Sequence, residues 1–163
     1  MSHEKHRVQA LKDYAVLDTP PHPSFDAVTR AAQIAFDVPI ALISLLDETR
    51  QWFKSCIGLE VRETPREISF CTHAIGQSDV YVVPDAAKDP TFADNPLVTG
   101  APHIRFYAGA PLVDAEGYAL GTLCIIDTRP RSFPAHDRRH LAALGECAMN
   151  AIELHSKTVL LDR

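Results

Sequence analysis

Hydrophobic positions recur near the N-terminus with the spacing of α-helices. Val8, Leu11 and Ala15 lie at helical intervals, and a second apolar stripe occupies residues 25–36. A proline-rich segment separates the two stripes, and proline cannot continue a helix. Ser24 follows that segment and is a candidate N-cap. The pattern therefore predicts two helices joined by a short linker.

The apolar pattern then changes to that of β-strands. Residues 38–46 are apolar at almost every position, which is typical of a strand buried on both faces, and 51–57 follows after a short turn. Three more strands are predicted over 80–83, 104–113 and 118–127. Successive hairpins of this kind predict an antiparallel sheet in an α+β domain.

The last predicted helix is apolar over most of its surface. It begins near Pro134 and continues to Leu154 or beyond. Such a helix is either buried or faces a partner. We therefore expect a homodimer that forms through the terminal helices.

The segments between the strands indicate where a binding site would lie. Residues 58–67 are predicted to form a polar loop, and Ser69 to Gly76 a short helix. Residues 85–103 carry no clear element, and loops of this length are usually functional or disordered. If the long helices cover one face of the sheet, these loops cover the other. A small-molecule pocket is then expected between sheet and loops.

Charge and hydropathy exclude several classes of partner. The 163 residues suit one domain, and 16 Lys+Arg against 21 Asp+Glu give a formal net charge of -5. This balance argues against nucleic acid, which requires a basic face. No apolar run approaches the roughly 20 residues of a membrane span, and no signal peptide is recognisable. We expect a cytoplasmic protein with no nucleic-acid or membrane partner.

A family resemblance spans roughly residues 8–155, nearly the whole chain. It rests on seven segments in chain order: 17–21, 38–44, 50–55, 64–75, 92–98, 105–112 and 121–127. They resemble GAF domains, in particular the branch found ahead of histidine kinases and diguanylate cyclases. The resemblance implies a PAS-like fold with a six-stranded antiparallel sheet. It places the terminal helices on one face and pocket-forming loops and short helices on the other.

The resemblance also suggests how the chain is organised. We assign 1–22 to an N-terminal helix and linker, 23–157 to the GAF domain and 158–163 to a C-terminal tail. If the chain is a complete gene product, we expect any output to come from a separate kinase or cyclase protein or through dimer contacts. If it is an N-terminal piece of a longer protein, the output domain lies outside this sequence.

A stand-alone sensory and regulatory module that binds a small molecule, with no enzymatic activity, is the favoured function. The identity of any cofactor is unknown. Two alternatives stay open. One is an enzyme that resembles free methionine-(R)-sulfoxide reductases, and the other is a ligand-free dimerisation or scaffold domain.

The best candidate site surrounds Cys71. If Ser69 caps the short helix, the N–H groups of its first turn would suit an anion and would lower the pKa of Cys71. Arg105 would add a carboxylate or phosphate contact. We therefore predict a pocket for a small anionic or polar metabolite. Its predicted ligand-binding residues are Trp52, Ser69, Cys71, His73, Asp85, Arg105, Phe106, Tyr107 and Thr122.

Each of these assignments has a simpler structural alternative. Trp52 and Phe106 are expected as apolar walls, but aromatic residues are also common in cores. Asp85 would close over the ligand, or it forms a turn. Ser69 would only cap the helix, Cys71 would be a buried thiol, and Arg105 would pair with an aspartate. Thr122 and Cys124 alternate on one strand and face the same side, whichever side that is.

No metal site and no catalytic residue are predicted. The four cysteines form no CxxC pair, and the closest approach to a metal motif, Cys71-x-His73, has no matching second pair. Two residues apart on a helix, Cys71 and His73 would diverge, which argues against a catalytic dyad.

Overall fold

A computed structural model describes residues 3–161 of the chain and the side chains as far as Thr158. The helices are α1 (His3–Asp13), α2 (Pro23–Phe36), α3 (Cys71–Ala74), α4 (Pro96–Thr99) and α5 (Ala135–Leu161). Single 3-10 turns occupy Arg66–Ile68 and Ala86–Lys88. The strands are β1 (Ile40–Leu46), β2 (Arg50–Ile57), β3 (Glu63–Pro65), β4 (Tyr81–Val83), β5 (Phe106–Val113) and β6 (Ala119–Asp127).

The strands form one six-stranded sheet in the order β3-β2-β1-β6-β5-β4, and every neighbouring pair is antiparallel. The predicted α+β architecture is therefore confirmed. Strand β1 lies near the centre, between β2 and β6, and all seven of its residues are buried. A continuous apolar run is what such a central strand requires.

Alternation along the strands divides the core into two layers. Ala41, Ile43 and Leu45 of β1 pack beneath the long helices α2 and α5. Ile40 and Leu42 point to the other face, beneath α3, α4 and the loops that connect them. The predicted division into a helical face and a loop-covered face is correct.

A β-bulge in β2 changes which side chains face the helices. Ile43 pairs with Ser55 and Ser44 pairs with Phe53, so Lys54 is the extra residue. Its ammonium group donates to Thr19 Oγ1 and to the carbonyl of Pro20, both at 2.6 Å. Burial lowers the pKa of Lys54. The bulge thus fixes the N-terminal linker to the sheet.

Several local predictions differ from the structure. Helix α2 is capped by His22, whose ring accepts the N–H of Ser24, so the predicted Ser24 cap is wrong. Residues 58–67 contain β3, which pairs with the start of β2 and was predicted as loop. Residues 85–103 contain α4, whose cap is the side chain of Asn95. These elements are too short to produce a periodic pattern.

Helix α5 is amphipathic, which corrects the prediction of a helix apolar on nearly all sides. Leu141, Ala148 and Ile152 are completely buried against the sheet. Glu146 and Asn150 are exposed on the opposite side. None of the helices in the described part of the chain has the length and apolar character that a bilayer span requires.

Candidate functional site

A cavity of about 280 Å³ lies on the face of the sheet opposite α2 and α5. Its mouth lies between two loops, where Glu60, Val61 and Ala101 are exposed. Strands β1, β2, β5 and β6 form its floor, and α3 and the loop after α4 form its walls. The lining residues are mostly apolar: Leu42, Gln51, Phe53, Leu59, Glu60, Val61, Thr64, Phe70, Cys71, Leu97, Ala101, Pro102, Ile104, Tyr107, Cys124 and Ile126.

A cluster of hydroxyl and thiol groups forms the deepest part of the site. Cys71 Sγ lies 3.2 Å from Tyr107 Oη and 3.0 Å from Thr122 Oγ1. Cys124, two residues beyond Thr122 on the same face of β6, lines the same cavity as Cys71. All four side chains are at most 1% exposed. The cluster therefore connects α3, β5 and β6 inside the protein.

The environment of the two thiols shifts their pKa values in opposite directions. Burial raises the pKa of Cys71, but its polar neighbours, Cys124 first and then Thr122 and Tyr107, outweigh burial and lower it. The neighbouring Cys71, together with burial, raises the pKa of Cys124 well above its ordinary value. Because the hydroxyl groups of Thr122 and Tyr107 both contact Cys71 Sγ, Cys71 is the better nucleophile of the pair.

A second polar network lies beside the cavity and is centred on Gln51. Its Oε1 accepts hydrogen bonds from Ser44 Oγ and Ser69 Oγ, both at 2.9 Å. Its Nε2 donates to Thr64 Oγ1 at 2.8 Å. Ser69 Oγ also accepts the backbone N–H of Cys71 at 3.0 Å. Gln51 lines the cavity but is not among the predicted site residues. The only available signal was a polar side chain inside an otherwise buried strand.

The structure brings together part of the predicted set. Cys71 and Tyr107 line the cavity. Thr122 and Ser69 are buried directly behind it, where each contacts Cys71. Cys124, which alternation placed on the same side as Thr122, also lines the cavity.

Trp52 and Phe106 lie on the opposite side of the sheet, so their prediction as pocket walls is wrong. Both belong to the core beneath the helices, and Phe106 packs on Phe133 at 5.5 Å between ring centroids. In each strand a neighbouring residue, Phe53 or Tyr107, points into the cavity instead. Period-two alternation accounts for the reversal, because a one-residue step changes the face.

His73, Asp85 and Arg105 also lie outside the cavity lining. Arg105 donates to the carbonyl oxygens of Val98 and Ile104, at 3.1 and 3.0 Å, and so holds the loop after α4. Asp85 accepts the N–H of Ala87 and caps a 3-10 turn. His73 is exposed, whereas Cys71 is buried, and the two side chains diverge as predicted.

The electrostatics of the lining do not support the predicted anion site. Among the lining residues Glu60 is the charged one, and it stands at the mouth. The N–H of Cys71 is already bonded to Ser69. A carboxylate or phosphate would therefore enter without a cation to balance its charge.

Metal chemistry has no evident location in the part of the chain described. No group of three or more His, Cys, Asp or Glu side chains there is arranged to hold an ion. All four cysteines are free; Cys56 is partly buried and Cys147 is exposed.

A six-stranded antiparallel sheet with long helices on one face and a loop-covered cavity on the other defines a PAS-like fold. The family model of the GAF domain matches residues 20–152, and the chain belongs to that family. A cyclic di-GMP phosphodiesterase of Pseudomonas aeruginosa is 51% identical over 129 residues. That match covers 78% of this chain but 22% of the relative, so the chain spans about a fifth of that protein's length.

Solved structures show the same fold at low sequence identity. The GAF domain of a phosphoenolpyruvate-protein phosphotransferase from Coxiella burnetii has a TM-score of 0.68 at 14% identity, covering 97% of this chain and 99% of that one. A free methionine-R-sulfoxide reductase from Neisseria meningitidis, in complex with its substrate, has a TM-score of 0.66 at 16% identity. That match covers 98% of this chain and 95% of the reductase.

Proposed function

We propose that this GAF domain is a sensory module that binds a small molecule in the cavity and changes the contacts of its helices in response. The observation that carries the proposal is the cavity itself. It is bounded by sheet, α3 and loops, and it combines apolar walls with a few convergent polar groups. Its volume of about 280 Å³ lies at the small end of the range of small-molecule sites.

The lining supports a neutral, mainly apolar ligand with one polar end. Leu42, Phe53 and Phe70 supply apolar walls. Gln51 carries two amide hydrogens, one of which is bonded to Thr64, so the other can serve a ligand acceptor. An uncharged molecule avoids the cost of burying an unpaired charge.

The same strands connect the cavity to the helical face. Tyr107 of β5 lines the cavity, while Ala110 of β5 packs against α5. At Gly145 of α5 an added Cβ would lie 3.2 Å from the Ala110 Cβ, so helix and strand are in close contact. A shift of β5 on ligand binding would therefore be transmitted to α5.

The output would be carried by dimer contacts or by a separate kinase or cyclase. The relative from Pseudomonas aeruginosa is a cyclic di-GMP phosphodiesterase, and 78% of its length lies outside the matched segment. The activity of that relative supports an output that acts on a cyclic dinucleotide.

Occupation of the cavity can be tested by native mass spectrometry of the purified chain. We expect the native wild-type protein to carry the additional mass of a bound small molecule, and denaturation to release that molecule. Val61→Trp would obstruct the mouth and abolish retention. Val113→Trp is the matched control, because Val113 is 48% exposed, Val61 is 49% exposed, and Val113 lies outside the cavity. A wild type without bound mass, and without thermal stabilisation by a metabolite extract, would instead favour the ligand-free scaffold.

The predicted homodimer is supported by two exposed apolar side chains on the helical face. Ile34 of α2 is 72% exposed and Leu154 of α5 is 64% exposed. Light scattering should give the dimer mass for the wild type and the monomer mass for Leu154→Glu, with Val113→Glu as control. A monomeric wild type at micromolar concentration would contradict the dimer.

A reductase of free methionine sulfoxide is the second candidate function. The observation that favours it is the pair of thiols, Cys71 and Cys124, in the cavity. The enzyme would consume methionine-(R)-sulfoxide and a dithiol reductant and yield methionine, water and a disulfide. Turnover coupled to thioredoxin, abolished by Cys71→Ser, would establish it. Absence of turnover would leave the sensory proposal.

A further inference from the structure

Two of the four cysteines meet at the floor of the cavity, from different parts of the chain. Cys71 belongs to α3 and Cys124 to the middle of β6, 53 positions later. Both side chains line the cavity that opens to solvent near Val61. Thr122, which contacts Cys71 Sγ at 3.0 Å, lies two residues before Cys124 on the same face of β6. The other two thiols lie elsewhere. Cys56 Sγ donates to the Leu59 carbonyl at 3.3 Å, and Cys147 is exposed on α5.

The surroundings of Cys71 favour a thiolate at that sulfur. The hydroxyl groups of Thr122 and Tyr107, at 3.0 and 3.2 Å, can both donate to it. A thiolate is the nucleophilic form of cysteine. The thiol of Cys124 lines the same cavity, where it can react with the oxidised form of Cys71. A nucleophilic thiol beside a second thiol is the arrangement of a two-cysteine oxidation site.

We propose that Cys71 and Cys124 form a reversible oxidation site at which hydrogen peroxide converts the two thiols into a disulfide. In the first step the Cys71 thiolate attacks one peroxide oxygen; the O–O bond breaks, and hydroxide leaves and takes up a proton. In the second step the sulfur of Cys124 attacks the sulfur of the Cys71 sulfenic acid. The S–S bond forms, the S–O bond breaks, and hydroxide leaves with the proton of Cys124 as water. Two thiols and one peroxide yield one disulfide and two waters.

The disulfide would change the site itself. It would link α3 to β6 across the floor of the cavity and remove two of its polar groups. Tyr107 and Thr122 would lose their thiol partner. Oxidation would therefore alter the affinity of the cavity for its ligand. This redox response is a second input, beyond the ligand sensing proposed above.

The direct test is peptide mapping of the reduced, purified chain after treatment with hydrogen peroxide. Remaining thiols are blocked with N-ethylmaleimide, and the protein is digested without reductant. We expect a peptide pair joined by Cys71 and Cys124, an intact mass lower by two hydrogen atoms, and reversal by dithiothreitol. Cys147→Ser, which removes the exposed thiol, should form the same link.

Two further variants test the order of the steps. In Cys124→Ser the sulfenic acid should persist on Cys71 and be captured by dimedone, whereas Cys71→Ser should give no adduct at residue 124. The proposal is overturned if mapping shows no such link while Cys71 stays alkylatable, or if the sulfenic acid forms but no disulfide follows. A link that joins Cys56 or Cys147 instead also overturns it. Mapping of the wild type tests the disulfide even if a cysteine variant fails to fold. Native mass spectrometry of the reduced protein tests ligand binding separately, so the failure of one proposal can be told from the failure of the other.

Discussion

Thr122 Oγ1 lies 3.0 Å from Cys71 Sγ, and this contact joins the middle of β6 to the first residue of α3. It is a contact between segments 51 positions apart in the chain. Both residues are buried: Cys71 lines the cavity, and Thr122 lies directly behind it. The hydroxyl group therefore influences the chemistry of the thiol directly.

Thr122→Val should make Cys71 a weaker acid. Valine has nearly the same shape but no hydroxyl, and the Thr122 hydrogen bond is one of those that lower the Cys71 pKa. We expect the midpoint of the pH dependence of Cys71 alkylation by iodoacetamide to rise by about 0.7 pH unit, since a hydrogen bond contributes about 1 kcal/mol. Cys147 in the same sample is the internal control. An unchanged or lower midpoint for Cys71 would contradict the assigned role of Thr122.

Glu4→Gln should remove part of the stability that the protein loses in acid. Hydrogen bonds from Arg7 and Arg66 lower the pKa of Glu4 from 4.5 to about 2. The carboxylate is therefore bound more tightly in the folded state. Its stabilisation is complete above pH 4.5 and disappears as the pH falls toward about 2.

Urea unfolding at several pH values measures this effect. The difference in unfolding free energy between wild type and Glu4→Gln should be largest near neutral pH and should shrink between pH 4.5 and 2. Glu146→Gln, on the exposed side of α5, controls for the loss of one negative charge. A pH-independent difference would show that the ion pairs do not stabilise the fold.

Gly121→Ala should destabilise the protein by about 2–4 kcal/mol. An added Cβ would lie 1.9 Å from the Ser44 carbonyl oxygen, where backbone meets backbone. Gly76→Ala is the matched control, since its nearest neighbour would be the His73 oxygen at 3.5 Å. Thermal unfolding should separate the two variants clearly. Equal melting temperatures would mean that β1 and β6 can move apart without cost.

Phe92→Ala should cost about 3–5 kcal/mol of unfolding free energy. Phe92 is 1% exposed and stacks on Phe70, a cavity wall, at 4.0 Å between ring centroids. Val113→Ala, at a side chain 48% exposed, should change stability by no more than about 0.5 kcal/mol. Denaturant titration of both variants provides the measurement. A small effect at Phe92 would indicate that the loop does not support the cavity wall.

Much of the fold could be predicted because its signals are local. The apolar run of β1, the alternation in β5 and β6, and the stripe of α2 each extend over seven or more residues. Elements of three or four residues, such as β3 and α4, give no such period and are held by contacts with distant residues. Asn95, for example, caps α4 and also donates to the carbonyl of Ile68 at 3.0 Å.

The candidate site could be predicted only in part. Cys71 and Tyr107 were identified correctly as cavity residues, and Trp52 and Phe106 were not. Arg105, chosen for its charge, holds backbone carbonyls. The chemistry of a residue indicates which groups its side chain can bind. Which groups it does bind depends on neighbours from distant parts of the chain.

The sequence by itself determined the long helices, the long strands and which residues share a face, because helical and strand periods are properties of neighbouring residues. It placed Thr122 and Cys124 on one side of β6. Only the tertiary structure decided that this side faces the cavity and that Cys71 lies against it. The physical reason is that the two faces of a buried strand are equally apolar. The elements that return to cover each face decide which one becomes a site.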